Sequence, residues 1–183
     1  LNTPHAELLV KKLVRASITV AKDANKQLPI QHLDTQKIAY VSLQQQSLDT
    51  FLFAAKQYAP ISSYVVAHNS EYSTQLNSVI SQLQGATTVI VNVVGNSQFS
   101  TKKYGITPAM VDIVSKIAKQ CNVILVLHAN PYALDYFTQA IPDIQSVVVA
   151  YDYSKMVQFE TPQVIFGALP AQGLLPVGVG GIP

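Results

Sequence analysis

The chain has 183 residues, a formal net charge of +2 and one cysteine, which excludes an internal disulfide bond. Its length fits one domain with a single core, and its 12 basic and 10 acidic residues form no dense cluster that would bind nucleic acid or an anionic membrane. Charged residues make up 12% of the chain, about half the roughly 25% usual for globular proteins, so we expect another body to cover part of the surface.

The first predicted element is a helix over residues 4–17, in which Leu9, Leu13 and Ala16 recur at the spacing of a one-sided contact. The first residues lack the basic-then-apolar order of a signal peptide, and no apolar run approaches the roughly 20 residues that span a bilayer. Because the predicted helix begins within the first residues, we expect residues 1–183 to be a single α/β domain excised from a longer protein. An extended segment is predicted next.

Five short apolar runs, rich in Val and Ile, alternate with amphipathic stretches along the rest of the chain. Strands that are apolar on both faces need helices above and below them, and parallel neighbours need crossover connections that supply those helices. The pattern therefore predicts a three-layer α/β/α sandwich with a flavodoxin-like, mostly parallel sheet of five or six strands. The predicted strands cover residues 37–41, 63–67, 88–94, 123–127 and 146–150.

Capping residues mark the crossover helices between these strands. We predict Ser47 as the N-cap of the first helix, with Asp49 in its first turn, and Ser70 as the N-cap of the second helix. The third helix has the clearest start, because Thr107 supplies an N-cap and Pro108 follows it at the first helical position.

The connections around the third and fourth strands are less regular. Residues 96–106 have no apolar period, so we predict an ordered loop that is longer than the roughly two to six residues usual in such units. Asn130 and Pro131 repeat the cap-and-proline signal and predict a short helix. Cys121 directly precedes a strand and is predicted to be a buried core thiol rather than a nucleophile.

The C-terminal part contains one ambiguous helix and a strap. A helical stretch near residues 154–166 includes Pro162, which either kinks the helix or lies in the first turn of a new helix capped by Thr161. Residues 167–183 have turn signals without a helical period, and we predict an extended strap that adds at most one edge strand.

Motifs for common chemistries are absent from the sequence. It contains no G-x-G-x-x-G or P-loop spacing and no G-x-S-x-G elbow, so neither a nucleotide cofactor nor a hydrolase triad is expected. The four histidines lack metal-ligand spacing, and we expect no metal site. Two carboxylates would suffice for glycoside hydrolysis, and Glu71 and Asp152 follow the second and fifth strands, although acids at such positions usually cap helices.

Ligands of open parallel sheets bind beyond the carboxyl ends of the strands. Amides and imidazoles there would hydrogen-bond a hydroxyl-rich ligand or a neighbouring domain. The alternative is that Asn69 and Asn130 only cap helices and that the histidines bond to loop carbonyl groups. The residues predicted to reach this edge are His68, Asn69, Asn96, Ser97, His128, Asn130 and Asp152.

Several segments together resemble the C-terminal α/β domain of family 3 glycoside hydrolases, which include β-glucosidases and β-N-acetylglucosaminidases. Residues 15–23 resemble the family's S-I-T-L-L-K-N run, and residues 166–177 resemble its closing G-x-x-x-P-x-G-R-L-P-V pattern, with Leu174 where the family often has arginine. Further matching segments are residues 8–10, 28–30, 37–39, 123–127, 130–132 and 150–152.

The resemblance implies a non-catalytic domain that packs on an N-terminal barrel domain of the same polypeptide. In the family the barrel supplies the nucleophilic aspartate, and some members take the proton donor from a loop of the second domain. Residues 95–106 resemble instead the bacterial β-N-acetylglucosaminidase-like form, in which the barrel holds the proton donor. The parent enzyme would hydrolyse O-glycosyl bonds, and the likeness implies a periplasmic or secreted protein without a cofactor.

Three hypotheses follow from the sequence. The first is an accessory glycosidase domain that is inactive alone and whose strand-end loops lie beside the sugar site. The second is a free-standing flavodoxin-like module that binds a small polar ligand at the strand edge. The third is catalysis by Glu71 and Asp152, which requires hydrolysis by this chain alone.

Overall fold

The computed structural model describes residues 3–43, 49–69 and 71–182, which form one six-stranded sheet with helices on both faces. Four short 3-10 helices, Ala24–Lys26, Ser100–Gly105, Pro131–Phe137 and Ile141–Asp143, lie in the connections. The main elements in chain order are α1 (Pro4–Ser17), β1 (Thr19–Asp23), β2 (Ile38–Ser42), α2 (Thr50–Ala55), β3 (Ile61–Val65), α3 (Tyr72–Gln82), β4 (Thr88–Val94), α4 (Pro108–Ala118), β5 (Val123–His128), β6 (Ser146–Val149) and α5 (Lys155–Ile165).

The strand order is β1-β6-β5-β4-β2-β3, and every neighbouring pair is parallel except β1 with β6. Taken alone, the five parallel strands have the 2-1-3-4-5 order of flavodoxin-like sheets, with the order reversing between β2 and β4. The predicted sandwich is confirmed. The predicted extended segment after α1 becomes the antiparallel edge strand β1.

Two apolar clusters, one on each face of the sheet, hold the three layers together. One cluster joins the sheet to α3, α4 and the 3-10 helix Pro131–Phe137, and the other joins it to α2 and α5. The inner strands β4 and β5 are buried along their whole length, which explains their nearly continuous apolar sequences. Within the described residues, no helix is long and apolar enough to cross a membrane.

The structure differs from the sequence-based boundaries at β3 and α2. The second of the five parallel strands, the edge strand Ile61–Val65, begins two residues earlier than predicted. The sequence pattern hides this start because Ser62 and Ser63 are exposed. Asp49, predicted in the first turn, is itself the N-cap of α2, and its carboxylate accepts a hydrogen bond from the Leu52 amide at 3.0 Å. The predicted caps at residues 47 and 70 lie outside the described residues.

The ambiguity around Pro162 is settled by one helix, α5, which contains the proline. The Thr161 hydroxyl donates to the Val157 carbonyl at 2.7 Å, so Thr161 lies within the helix and does not cap a new one. The strap that follows contributes no strand to the sheet in the part of it described. Its backbone contacts the chain just before β1, where the Gly173 amide donates to the Ile18 carbonyl at 3.2 Å. Cys121 is partly exposed, which corrects the prediction of a buried thiol, because it lies in the turn before β5.

Candidate functional site

A groove of about 590 Å³ lies beyond the carboxyl ends of β4, β5 and β6. Five of the seven residues predicted at this edge line it together: Asn96, Ser97, His128, Asn130 and Asp152. His68 and Asn69 are not among its lining residues, because they follow β3, and β2 separates β3 from β4 in the sheet. The groove also contains Gln98, Tyr151 and Tyr153, which the sequence interpretation did not single out.

Several of these polar side chains are already engaged by the backbone. The side-chain oxygens of Asn69 and Asn130 accept hydrogen bonds from the amides of Glu71 and Tyr132, at 3.0 and 3.1 Å. The Ser97 hydroxyl accepts from the Phe99 amide at 3.2 Å. The capping role weighed for Asn130 is therefore found, although its amide nitrogen is not used by the cap. Asn69 holds only the turn before α3, whose N-cap is Glu71.

His128 is the most buried polar residue of the groove, with 1% of its surface exposed. Its Nδ1 lies 2.7 Å from the carbonyl oxygen of Asp152, so Nδ1 carries the proton and Nε2 is an acceptor. Burial lowers the pKa of His128 to about 4, which keeps the ring neutral at physiological pH. The ring contacts Phe51 and Tyr153 edge to face, with centroid distances of 6.1 and 5.0 Å, and Nε2 has no partner among the described residues.

Residues 96–98 line one side of the groove and begin an ordered loop over residues 96–106, which includes a 3-10 helix. Gly95 allows this loop to fold back, because a Cβ at this position would overlap the Tyr104 carbonyl oxygen and would lie 2.8 Å from the Ala129 Cβ. Tyr104 in the loop stacks on Tyr132 with a centroid distance of 6.5 Å. Tyr132 is 45% exposed and Phe99 is 64% exposed, so the loop adds aromatic surface to this end of the molecule.

A buried polar line beneath this edge was missed by the sequence interpretation. The Tyr40 hydroxyl donates to a carboxylate oxygen of Asp49 and accepts a hydrogen bond of 2.8 Å from the Asn92 side chain. Burial, together with the Asp49 charge, raises the pKa of Tyr40, and the same two causes raise the pKa of Tyr153 to about 12. The line joins β2, β4 and the start of α2 at the point where the strand order reverses.

The carboxylates of this end do not form a hydrolytic pair. Burial opposes the charge of Asp152, but hydrogen bonds from Ser154 outweigh it, so the pKa of Asp152 is lowered and the group is ionised. A proton donor for glycoside cleavage needs a raised pKa instead. Glu71 is exposed at the start of α3, after the distant strand β3. Within residues 3–43, 49–69 and 71–182, no three His, Cys, Asp or Glu side chains are placed to hold a metal ion.

The fold is similar to parts of solved glycosidase structures. The similar structures include a fungal multi-domain family 3 β-N-acetylglucosaminidase, with a TM-score of 0.75, 18% identity, and coverage of 98% of this chain and 20% of the other. The match to the family 3 β-N-acetylglucosaminidase of Paenibacillus sp. str. FPU-7 has a TM-score of 0.70 and 15% identity, and it covers 96% of this chain and 33% of the other. The match to a β-glucosidase of Listeria innocua has a TM-score of 0.71 and 11% identity, and it covers 92% of this chain and 26% of the other.

The sequence itself matches no protein-family model and no curated protein. The structural likeness spans nearly all of this chain but only 20–33% of the length of these three enzymes. The chain therefore has the fold of one region of multi-domain family 3 glycoside hydrolases, and the resemblance seen in its sequence is confirmed at the level of the fold.

Proposed function

We propose that residues 1–183 are the C-terminal, non-catalytic accessory domain of a family 3 glycoside hydrolase of the β-N-acetylglucosaminidase or β-glucosidase type. The observation that carries the proposal is the asymmetry of the structural match, which uses 92–98% of this chain and no more than a third of each enzyme. A domain with this relation to larger enzymes acts by packing on the remaining part. In this proposal that part is an N-terminal catalytic barrel of the same polypeptide.

The chemistry of the groove supports an accessory role rather than a catalytic one. Asp152, the one carboxylate among the described residues that line the groove, is ionised and accepts a hydrogen bond of 3.2 Å from the Ser154 amide, so it has no proton to donate. Amide side chains and exposed aromatic rings at this edge have the character of a surface that meets hydroxyl-rich molecules. We propose that this edge walls the sugar site of the barrel.

The second hypothesis was a free-standing module that binds a small polar ligand. The comparisons give it no support, because each of the three enzymes contains this fold as a minor part of a longer chain. It predicts that the 183-residue chain binds a small ligand by itself and needs no partner.

The proposal predicts that the 183-residue chain does not hydrolyse glycosides by itself. The measurement is the release of nitrophenol from an aryl β-glucoside and an aryl N-acetyl-β-glucosaminide, using this chain and a longer polypeptide that includes the preceding coding sequence. We expect turnover of one substrate by the longer polypeptide only, on the order of 1–10³ s⁻¹. The barrel alone serves as the control for the contribution of this domain.

Hydrolysis by the 183-residue chain at a rate near that of the longer polypeptide would overturn the proposal. In that event Asp152→Asn and Glu71→Gln variants would show whether the third hypothesis accounts for the activity. A longer polypeptide that is folded but hydrolyses neither substrate would also contradict it.

A further inference from the structure

Helix α1 is packed unlike the other helices of the domain. Of the five α-helices in the described part of the chain, it alone has no buried residue among its 14. Four of its large apolar side chains are about half exposed: Leu8 at 51%, Leu9 at 52%, Val10 at 49% and Leu13 at 61%. A helix normally turns its apolar residues toward the core. The side of α1 that faces the domain must therefore be held mainly by something other than apolar burial.

Polar contacts to Glu160 of α5 provide that attachment. Arg15 Nε lies 2.7 Å from one Glu160 oxygen and Lys11 Nζ lies 3.3 Å from the other. Gln163 of the same helix donates to the Arg15-bonded oxygen at 2.8 Å. Glu160 is 1% exposed, and a buried carboxylate is stable only when such partners compensate its lost hydration. Val14, which is partly buried, adds the apolar part of this contact.

Helix geometry places an apolar stripe on the opposite side of α1. At roughly 100° per residue, Leu9 and Leu13 lie about 160° around the helix from Lys11. Ala6 lies on the same side about one turn before Leu9, and Ala16 lies there about one turn after Leu13. This outer stripe, defined as Ala6, Leu9, Leu13 and Ala16, points away from the domain whose surface Lys11 and Arg15 contact. The helix thus has Lys11 and Arg15 on its inner side and the outer stripe on the opposite side.

We propose that the outer stripe of α1 is the surface on which the preceding domain of the same polypeptide packs, with Glu160 fixing the orientation of the helix. The inference rests on the proposed function, because the preceding body is the catalytic barrel in that proposal. Any polypeptide N-terminal to α1 leaves this domain at one end of a helix about 21 Å long, so it is tethered beside the stripe.

A second copy of the chain is a poorer occupant. A stable interface between separate proteins buries about 1,200–2,000 Å² in total, whereas the outer stripe offers two leucines and two alanines on one short helix. A tethered domain needs less contact area, because its association is intramolecular and its effective concentration is high. The size of the stripe therefore favours a covalently linked partner.

The test compares amide hydrogen exchange in the 183-residue chain and in the longer polypeptide. We expect α1 amides to exchange at least about tenfold more slowly in the longer polypeptide, and the double variant Leu9→Gln and Leu13→Gln to remove that protection. In the shorter chain the same variant should leave the unfolding midpoint unchanged. Val65→Gln is the matched control, since Val65 is 52% exposed on the far edge strand β3 and should affect neither measurement.

Equal α1 exchange in the two polypeptides would overturn the inference. So would a 183-residue chain that sediments as a dimer and becomes monomeric in the Leu9→Gln and Leu13→Gln variant, since the occupant is then a second copy. Glycosidase activity is measured separately, so an active longer polypeptide with unprotected α1 refutes this surface and leaves the proposed function standing.

The role of Glu160 has its own readout. In the 183-residue chain, Glu160→Gln should speed exchange in α1 several-fold while the amides of β4 and β5 keep their rates. Faster exchange throughout the sheet would show that Glu160 supports the core as a whole and does not specifically hold α1.

Discussion

Lowering the pH from 7 to 4.5 is expected to reduce the free energy of unfolding by roughly 2–3 kcal/mol through His128 alone. Burial lowers the pKa of His128 from its ordinary value of 6.5 to about 4 in the folded protein. The unfolded chain therefore takes up a proton as the pH falls below 6.5, while the folded protein does not until the pH approaches 4. The contribution of His128 to the free energy of unfolding is therefore complete above pH 6.5, and it is lost as the pH falls from 6.5 toward 4.

The measurement is urea unfolding at both pH values for the native chain and for His128→Gln, which cannot titrate. The glutamine side chain retains an amide that can donate toward the Asp152 carbonyl, so the variant should fold, with lower stability at pH 7. Its free energy of unfolding should fall by roughly 2–3 kcal/mol less than that of the native chain between the two pH values. Asp152 does not affect this comparison. Its pKa is lowered from the ordinary value of 3.8, so its contribution to the free energy of unfolding is lost only at pH values below the range compared. An identical pH dependence in both proteins would contradict the prediction.

Replacing Gly173 with alanine is expected to destabilise the domain by about 2–3 kcal/mol, because there is no room for a Cβ where the strap crosses the end of α1. That atom would overlap Thr19 Oγ1 and the Ser17 carbonyl oxygen, and it would lie 2.8 Å from the Ile18 carbonyl oxygen. Two of these neighbours are backbone atoms that cannot move aside. The strap must lift, which breaks the Gly173–Ile18 hydrogen bond.

Gly178 in the same strap provides the matched control. A Cβ there would meet only the Ile182 carbonyl oxygen, at an ordinary distance of 3.7 Å, so Gly178→Ala should change stability by less than about 0.5 kcal/mol. Thermal and urea unfolding of both variants at pH 7 measure the difference. Equal stabilities would mean that the strap adjusts without cost. Gly173 belongs to the closing segment that resembles the family pattern, and the crowding gives a physical reason for a glycine there.

The architecture could be predicted from the sequence because the inner strands are buried on both faces. In β4 and β5 that burial requires unbroken runs of apolar residues, which are visible without any structure. The edge strand β3 was placed two residues late, because an edge strand needs fewer apolar residues and Ser62 and Ser63 face solvent. The helix start predicted at Thr107 and Pro108 is correct, because the interactions of an N-cap are local. The Thr107 hydroxyl accepts a hydrogen bond from the Met110 amide at 3.2 Å.

The site was predictable only in part, because strand order decides which loops meet. Asn96, His128 and Asp152 come together since β4, β5 and β6 are neighbours, whereas His68 follows a strand beyond β2. Local signals in the sequence do not determine that order. One signal was available and unused: Asn92 interrupts an apolar strand, and a buried amide in such a place needs a partner, which is Tyr40.

Cys121 offers a practical handle on the geometry of any larger assembly. It is the single cysteine of the chain and is partly exposed at the amino end of β5, the end of the sheet opposite the groove. Because burial raises the pKa of its thiol, a maleimide dye should attach slowly at neutral pH and faster under alkaline conditions. A fluorophore placed there would sit at the other end of the sheet from the groove, so energy transfer to a second dye would report how the domain is oriented without disturbing that edge.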